Sequence, residues 1–259
     1  MTSARTTLAG SDQLPLFDLQ WPCEGSTAPK EARPAVLMEG PGPERRDVFN
    51  GRLLAGLTLV GPYEIPKIEP CTHVPDSLIS FSEANAVRKP DPQTWVHFYE
   101  DDYRFNRLWN DPERYFRRLG RFAGVVSPDF SIYRNMPVAQ KIAHTYRNQL
   151  LGARMQADGI NVLANIRLSG RESIPYALAG APRHSTVALG LNGCVQDRAN
   201  RRHVVEEVRI VCDELAPKHL VVYGSAAYGV LDYPREQGIP VHVFRVDTFT
   251  RSQTRKAAA

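Results

Sequence analysis

From residue 57 onward, short apolar runs alternate with longer stretches in which apolar residues return every three or four positions. The short runs are Leu57–Val60, Leu78–Phe81, Val96–Tyr99, Gly124–Val126, Val162–Ile166, Val187–Leu191, Leu220–Tyr223 and Val241–Phe244. Their length and the continuous apolar character of the later ones predict strands buried on both faces. The longer stretches read as helices. PERYFRRLGRF has Pro112 near its start and places Tyr115, Phe116, Leu119 and Phe122 on one side. VAQKIAHTYRNQLLGARMQADG carries a stripe of Val138, Ile142, Tyr146, Leu150 and Met155 and stops at Gly159. ANRRHVVEEVRIVCDELAPK repeats Val204, Val208, Val211 and Leu215, with Pro217 just beyond.

Strand–helix–strand repetition at this spacing implies parallel pairing with right-handed crossovers. Eight candidate strands predict an α/β fold of TIM-like barrel type, irregular in its first quarter, where helices are short or missing. An open, doubly wound α/β sheet is the alternative. The domain spans residues 51–250. Residues 1–50 are rich in Pro, Gly, Ser and Thr without a sustained period, and predict a largely disordered tail. Residues 251–259, RSQTRKAAA, form a short basic tail.

Barrel and open sheet alike put the working site at the C-terminal ends of the strands. Glu100, Asp101, Asp102 and Arg104 follow Val96–Tyr99, and Asp129 follows Gly124–Val126 in SPDFS. Arg167 follows Val162–Ile166; Asn192, Gly193 and Cys194 follow Val187–Leu191; Gly224 and Ser225 follow Tyr223; Arg245 and Asp247 follow the last run. Carboxylates gathered on one rim repel one another, which raises the pKa of one and lets a pair divide acid, base or nucleophile roles. Asp129, Asp101, Asp102 and Arg167 are the candidate catalytic residues. Glu100, Asn192, Gly193, Tyr223, Gly224 and Ser225 are candidates for substrate binding. Such carboxylates can also hold Mg2+. Cys194 is either a thiol nucleophile or a small buried apolar residue.

Composition adds limits. The chain has 259 residues, 42% apolar and 23% charged, with net charge +4. This mild basicity permits DNA contact without requiring it. Arg117, Arg118 and Arg121 share the polar side of one predicted helix, where a solvated face is the default reading. Four cysteines without CxxC spacing, and no signal-peptide pattern, predict reduced thiols in a cytoplasmic protein. No apolar run approaches the roughly 20 residues of a membrane span. There is no GxxxxGK[ST] phosphate loop, no HExxH and no close His/Cys set, so no metal site is read from the sequence.

The segments WVHFYEDDYRFNRLW, FAGVVSPDFSIYRNMP, IAHTYRNQLLGARMQADGINVLANIRL, VALGLNGC and LVVYGS together resemble an uncharacterised family of bacteria, phages and mobile elements, catalogued as a domain of unknown function. The resemblance covers roughly residues 60–247 and implies work near DNA replication, modification or defence. The family usually keeps an aromatic where this chain has Leu168. A fainter likeness is to the tRNA-guanine transglycosylase barrels and their phage relatives. It implies a strand-end aspartate nucleophile, Asp129 or Asp101 here, without the zinc cysteines.

Near the start, QLPLF resembles the peptide by which bacterial partners dock on the DNA polymerase sliding clamp. By that resemblance Gln13 supplies an amide, Leu14 enters one apolar pocket, and Leu16 with Phe17 fills a deeper one. Pro15 stands where Ser or Asp is commoner. Three function classes fit these readings: a DNA- or nucleotide-processing enzyme recruited to the clamp, a non-catalytic replication adaptor or clamp inhibitor, and a small-molecule enzyme with a chance tail match.

Overall fold

The structure, a computed structural model, describes residues 32–35 and 47–245. The clamp-like peptide at 13–17, Asp247 and the 251–259 tail lie outside the described residues. Seven strands form one sheet: β4 (Ser77–Ser80), β5 (Thr94–His97), β6 (Gly124–Val126), β7 (Val162–Asn165), β8 (Thr186–Leu191), β9 (His219–Gly224) and β10 (Val241–Phe244). Each pairs in parallel with its neighbour in the chain, so spatial order equals sequence order. A doubly wound sheet reverses order at a switch point, and this one does not.

The sheet curls into a nearly closed barrel. β5 and β9 are four strand spacings apart, about 19 Å in a flat sheet. Yet the His97 and Tyr223 rings have centroids 4.1 Å apart, and Tyr99 stacks on Tyr223 at 5.3 Å. Alternate strand residues fill the interior: Leu78, Trp95, Val126, Leu163, Ala188 and Val221 form one cluster. The opposite alternation, including Val96, Phe98, Val125, Val162, Val187, Leu220 and Val222, packs under the helices. Gly124 is required by this filling, because a Cβ there would lie 2.5 Å from the Trp95 ring.

The helices are α1 (Phe81–Ala86), α2 (Asp102–Asn110), α3 (Pro112–Leu119), α4 (Val138–Ala157), α5 (Ile174–Ala177), α6 (Arg198–Leu215) and α7 (Asp232–Glu236). Local chemistry fixes their starts. Ser80 and Glu83 form a capping box on α1, which ends the preceding strand one residue earlier than the apolar run suggests. Pro112 sits in the first turn of α3, and the Asp197 carboxylate accepts from the Asn200 N–H at 2.8 Å to open α6.

The first expected strand does not join the barrel. Thr58–Val60 (β2) pairs antiparallel with Arg33–Pro34 (β1) and Ile65–Pro66 (β3) in a separate small sheet. The chain then runs to the N-terminal end of the barrel. There the Cys71 N–H donates to Ser185 Oγ at 2.9 Å and the Thr186 N–H donates to the Cys71 carbonyl at 2.8 Å. Cys71 itself packs among the interior residues. An apolar four-residue run fits a hairpin as well as a barrel strand, and here the hairpin wins.

His97 is 1% exposed inside the barrel, where its Nδ1 accepts from the Tyr99 N–H at 3.1 Å. Burial pushes its pKa down to about 3. The unfolded chain titrates near 6.5, so between those values only the unfolded state binds the proton and stability falls as pH falls. We expect His97→Phe to flatten this acid loss between about pH 6.5 and 3. Denaturation midpoints measured at pH 4 and pH 7 check it; an unchanged difference between the two would contradict the assignment.

Candidate functional site

The loop after β6 carries Asp129 over the barrel's C-terminal mouth, and its neighbours hold it rigidly. Asn148 of α4 accepts from the Phe130 N–H at 2.8 Å and donates to the Phe130 carbonyl at 3.3 Å. His144 Nδ1–H donates to the Ser131 carbonyl at 2.6 Å. Asp102, in the first turn of α2, accepts from the Ser131 hydroxyl at 2.8 Å and from its N–H at 3.1 Å. Asp102 therefore positions this loop; it does not line the cleft.

Asp129 is buried and fully engaged. Arg167 Nε donates to Asp129 Oδ1 at 3.0 Å, and a second guanidinium nitrogen donates to Oδ2, a two-pronged ion pair. Asn165 Nδ2 donates to Oδ1 at 2.8 Å, and the Tyr99 hydroxyl donates to Asn165 Oδ1 at 3.0 Å. The side chains of Arg167 and Asp129 are 26% and 7% exposed, so water screens the pair weakly. Burial opposes the charge on Arg167, but Asp129 outweighs it and holds the guanidinium's pKa above its ordinary value. Burial, then the Asp129 charge, raises the Tyr99 phenol well above its usual value. Tyr99 also explains Gly190, where a Cβ would lie 2.5 Å from its ring.

Above this network lies a cleft of about 480 Å³. Of the candidates from the sequence, Asp101, Asp129, Arg167, Glu100, Asn192 and Gly193 line it, and so does Cys194. Asp101 is an exposed rim residue 3.7 Å from Arg104. Glu100 accepts from the Ser82 N–H at 2.9 Å. Cys194 Sγ–H donates to the Asn192 carbonyl at 3.4 Å. Tyr223 instead packs inside the barrel. Gly224 has φ +130° and lets β8 and β9 approach, since a Cβ would sit 2.7 Å from the Leu191 and Asn192 backbone. The Ser225 hydroxyl accepts from the Ala227 N–H at 3.2 Å.

Sequence reasoning missed Glu207 on α6, which lines the cleft beside Val204 and His203. It accepts no hydrogen bond among the described residues, and burial pushes its pKa up to about 7 against the lowering influence of Arg167 and Arg134. The available signal was helical spacing: position 207 stands three residues after Val204 and four before Val211, on the edge of the buried stripe. Arg134 and Tyr133 complete the outer wall, with Arg134 donating to Asn200 Oδ1 at 3.2 Å. Among the described residues no three His, Cys, Asp or Glu side chains converge to hold a metal ion. Asp129, with both oxygens bonded to Arg167, does not offer the carboxylate that Mg2+ binding at this rim would need.

Comparison with known proteins adds context. A family described as "Domain of unknown function (DUF4417)" matches residues 57–235. The chain is similar to the Gene 1 protein of Mycobacterium phage D29, 30% identical over 191 residues covering 72% of this chain and 68% of that protein. It is likewise similar to the Gene 1 protein of Mycobacterium phage L5, 29% identical over 205 residues covering 77% of this chain and 87% of that protein. No solved structure matches.

Removing one partner of the buried pair strands the other. Arg167→Gln and Asp129→Asn are each expected to cost about 3 kcal/mol, and the double variant less than the sum of the two. Urea midpoints at constant slope measure this; strictly additive losses would show that the two side chains do not act as a pair.

Proposed function

This chain belongs to the DUF4417 family, a phage-type family of unknown function, and on that premise we propose that its barrel is a DNA- or nucleotide-processing enzyme recruited to the replication clamp. The observation that carries the reading is Glu207: a carboxyl with a pKa pushed up to about 7, in a cleft over the strand ends. A group poised near neutrality serves as proton donor and acceptor at working pH. Arg134 on the rim supplies positive charge for a substrate phosphate. Tyr133 is 61% exposed beside it and offers a face on which a base can stack.

Asp129 acts differently from the expected nucleophile. With both oxygens bonded to Arg167, it fixes the guanidinium whose charge lowers the Glu207 pKa against the raising effect of burial. Gly193, with φ +72° and nothing within 4 Å of its Cβ position, leaves open space for a ligand against the backbone. Base modification remains the reaction class closest to the transglycosylase likeness, with the nucleophile's role left to Asp101 or to water.

Recruitment rests on Gln13, Leu14, Leu16 and Phe17. Burying three apolar side chains yields roughly 5–9 kcal/mol gross, and ordering the segment removes about 2–5 kcal/mol. The net suits weak, exchangeable tethering that raises the local concentration of the barrel at DNA.

The engaged state of Asp129 favours one second reading, a non-catalytic adaptor, because it ties up one of the two strand-end candidates for nucleophile. Glu207→Gln separates the two. Wild-type protein incubated with oligonucleotides and nucleotides is expected to give a product detectable by mass spectrometry. The variant should be slowed about 100-fold or more, with loss of an inflection near pH 7. A biological effect that survives Glu207→Gln selects the adaptor. For the tether, a peptide of residues 11–20 should bind bacterial clamp, and Leu16→Ala with Phe17→Ala should abolish it; retained binding by that double variant removes recruitment from the reading.

A further inference from the structure

A second cavity, of about 370 Å³, lies on the outer wall where α2 and α3 meet the end of α1. Five arginines line it, Arg107, Arg114, Arg117, Arg118 and Arg121, with Tyr115 and Asn85 and no carboxylate. Two of the five have structural work. Arg118 donates to the carbonyls of Ala84, Asn85 and Val87, and Arg121 to that of Arg88 at 2.9 Å, so together they bind the carbonyls at and just beyond the end of α1.

Of the other three, Arg107 packs over the buried Phe81 ring, 5.3 Å from its centroid. Arg107 and Arg114 flank the Tyr115 ring at 6.0 and 5.6 Å from its centroid, which holds them without neutralising them. Neither they nor Arg117 forms an ion pair with a described carboxylate. Arg33, Arg52, Arg154 and Arg171 do, with Glu64, Glu113, Asp158 and Glu206 in turn. Within α3, Arg114 stands three residues before Arg117 and four before Arg118, a spacing at which like charges repel. The helix dipole eases this at the C-terminal end of α3 but not at Arg114, in its first half.

We propose that this pocket holds consecutive phosphates of a DNA backbone. Three guanidiniums without a carboxylate partner lining one pocket suit several adjacent monoanionic groups, which a phosphodiester chain supplies and a single phosphate does not. The flat donor fork of arginine suits phosphate oxygens. The site is separate from the cleft. The Ser82 N–H donates to Glu100 at the strand-end rim, so α1 starts there and carries its far end, with the arginines, toward the other end of the barrel. The proposal does not depend on any chemistry at Glu207.

The test is duplex binding by full-length protein, followed by fluorescence anisotropy from 50 to 200 mM salt. Arg107→Gln/Arg114→Gln/Arg117→Gln should weaken binding about tenfold or more, and should reduce the slope of log affinity against log salt by about 2–3. The corresponding Arg→Lys triple variant should keep the slope. An unchanged denaturation midpoint shows the Gln variant is folded. Unchanged affinity and slope in that variant would overturn the site. Competition by inorganic tripolyphosphate as strong, per charge, as by unlabelled duplex would overturn the DNA assignment in favour of a small polyanion.

Discussion

The Tyr99 ring stacks on Tyr223 across the barrel, while its hydroxyl donates to Asn165, which in turn donates to Asp129. One side chain thus belongs to the packed interior and to the polar network at the mouth. Curling of the sheet brings β5 and β9 together, their aromatic rings fill the space, and that filling sets the height of the Tyr99 hydroxyl. Asp129 and Arg167 inherit their position from it. Gly190 is the accommodation on the facing strand. Because the interior is solid at this level, the cleft above has a fixed floor.

The same arrangement separates two kinds of carboxylate. Asp129 accepts from Arg167 and Asn165, and Asp102 from Ser131, so both hold neighbours in place. Glu207 is partly buried with no donor among the described residues, and its ordinary acidity is lost.

Much of the barrel was readable from the chain because strands buried on both faces leave dense apolar runs. Val162–Ile166 and Val187–Leu191 are examples, and α4 and α6 follow their stripes closely. Leu57–Val60 was misplaced because its apolar run carries no information about its partner; the antiparallel β1 and β3 supplied it. Asp129 and Arg167 follow strand ends and both line the mouth, since position in the barrel decides which residues reach it. Strand ends could not show that the two would bind each other, because that depends on the lateral neighbours β6 and β7. Asp102 differs from Asp101 by one step along the chain, and the start of a helix sends them to different tasks. Glu207 stayed hidden because it comes from a helix, and the strand-end rule does not search helices.

The barrel is curled but not zipped. Among the described residues no backbone pairing joins β10 to β4, so two strand edges face each other across a seam. β9 buries Leu220, Val221 and Val222 completely, whereas β10 is only half-buried and Val243 is 37% exposed. Cohesion therefore drops sharply from the ninth strand to the tenth. The wall can loosen along that line while the aromatic floor, anchored on β5 and β9, stays whole.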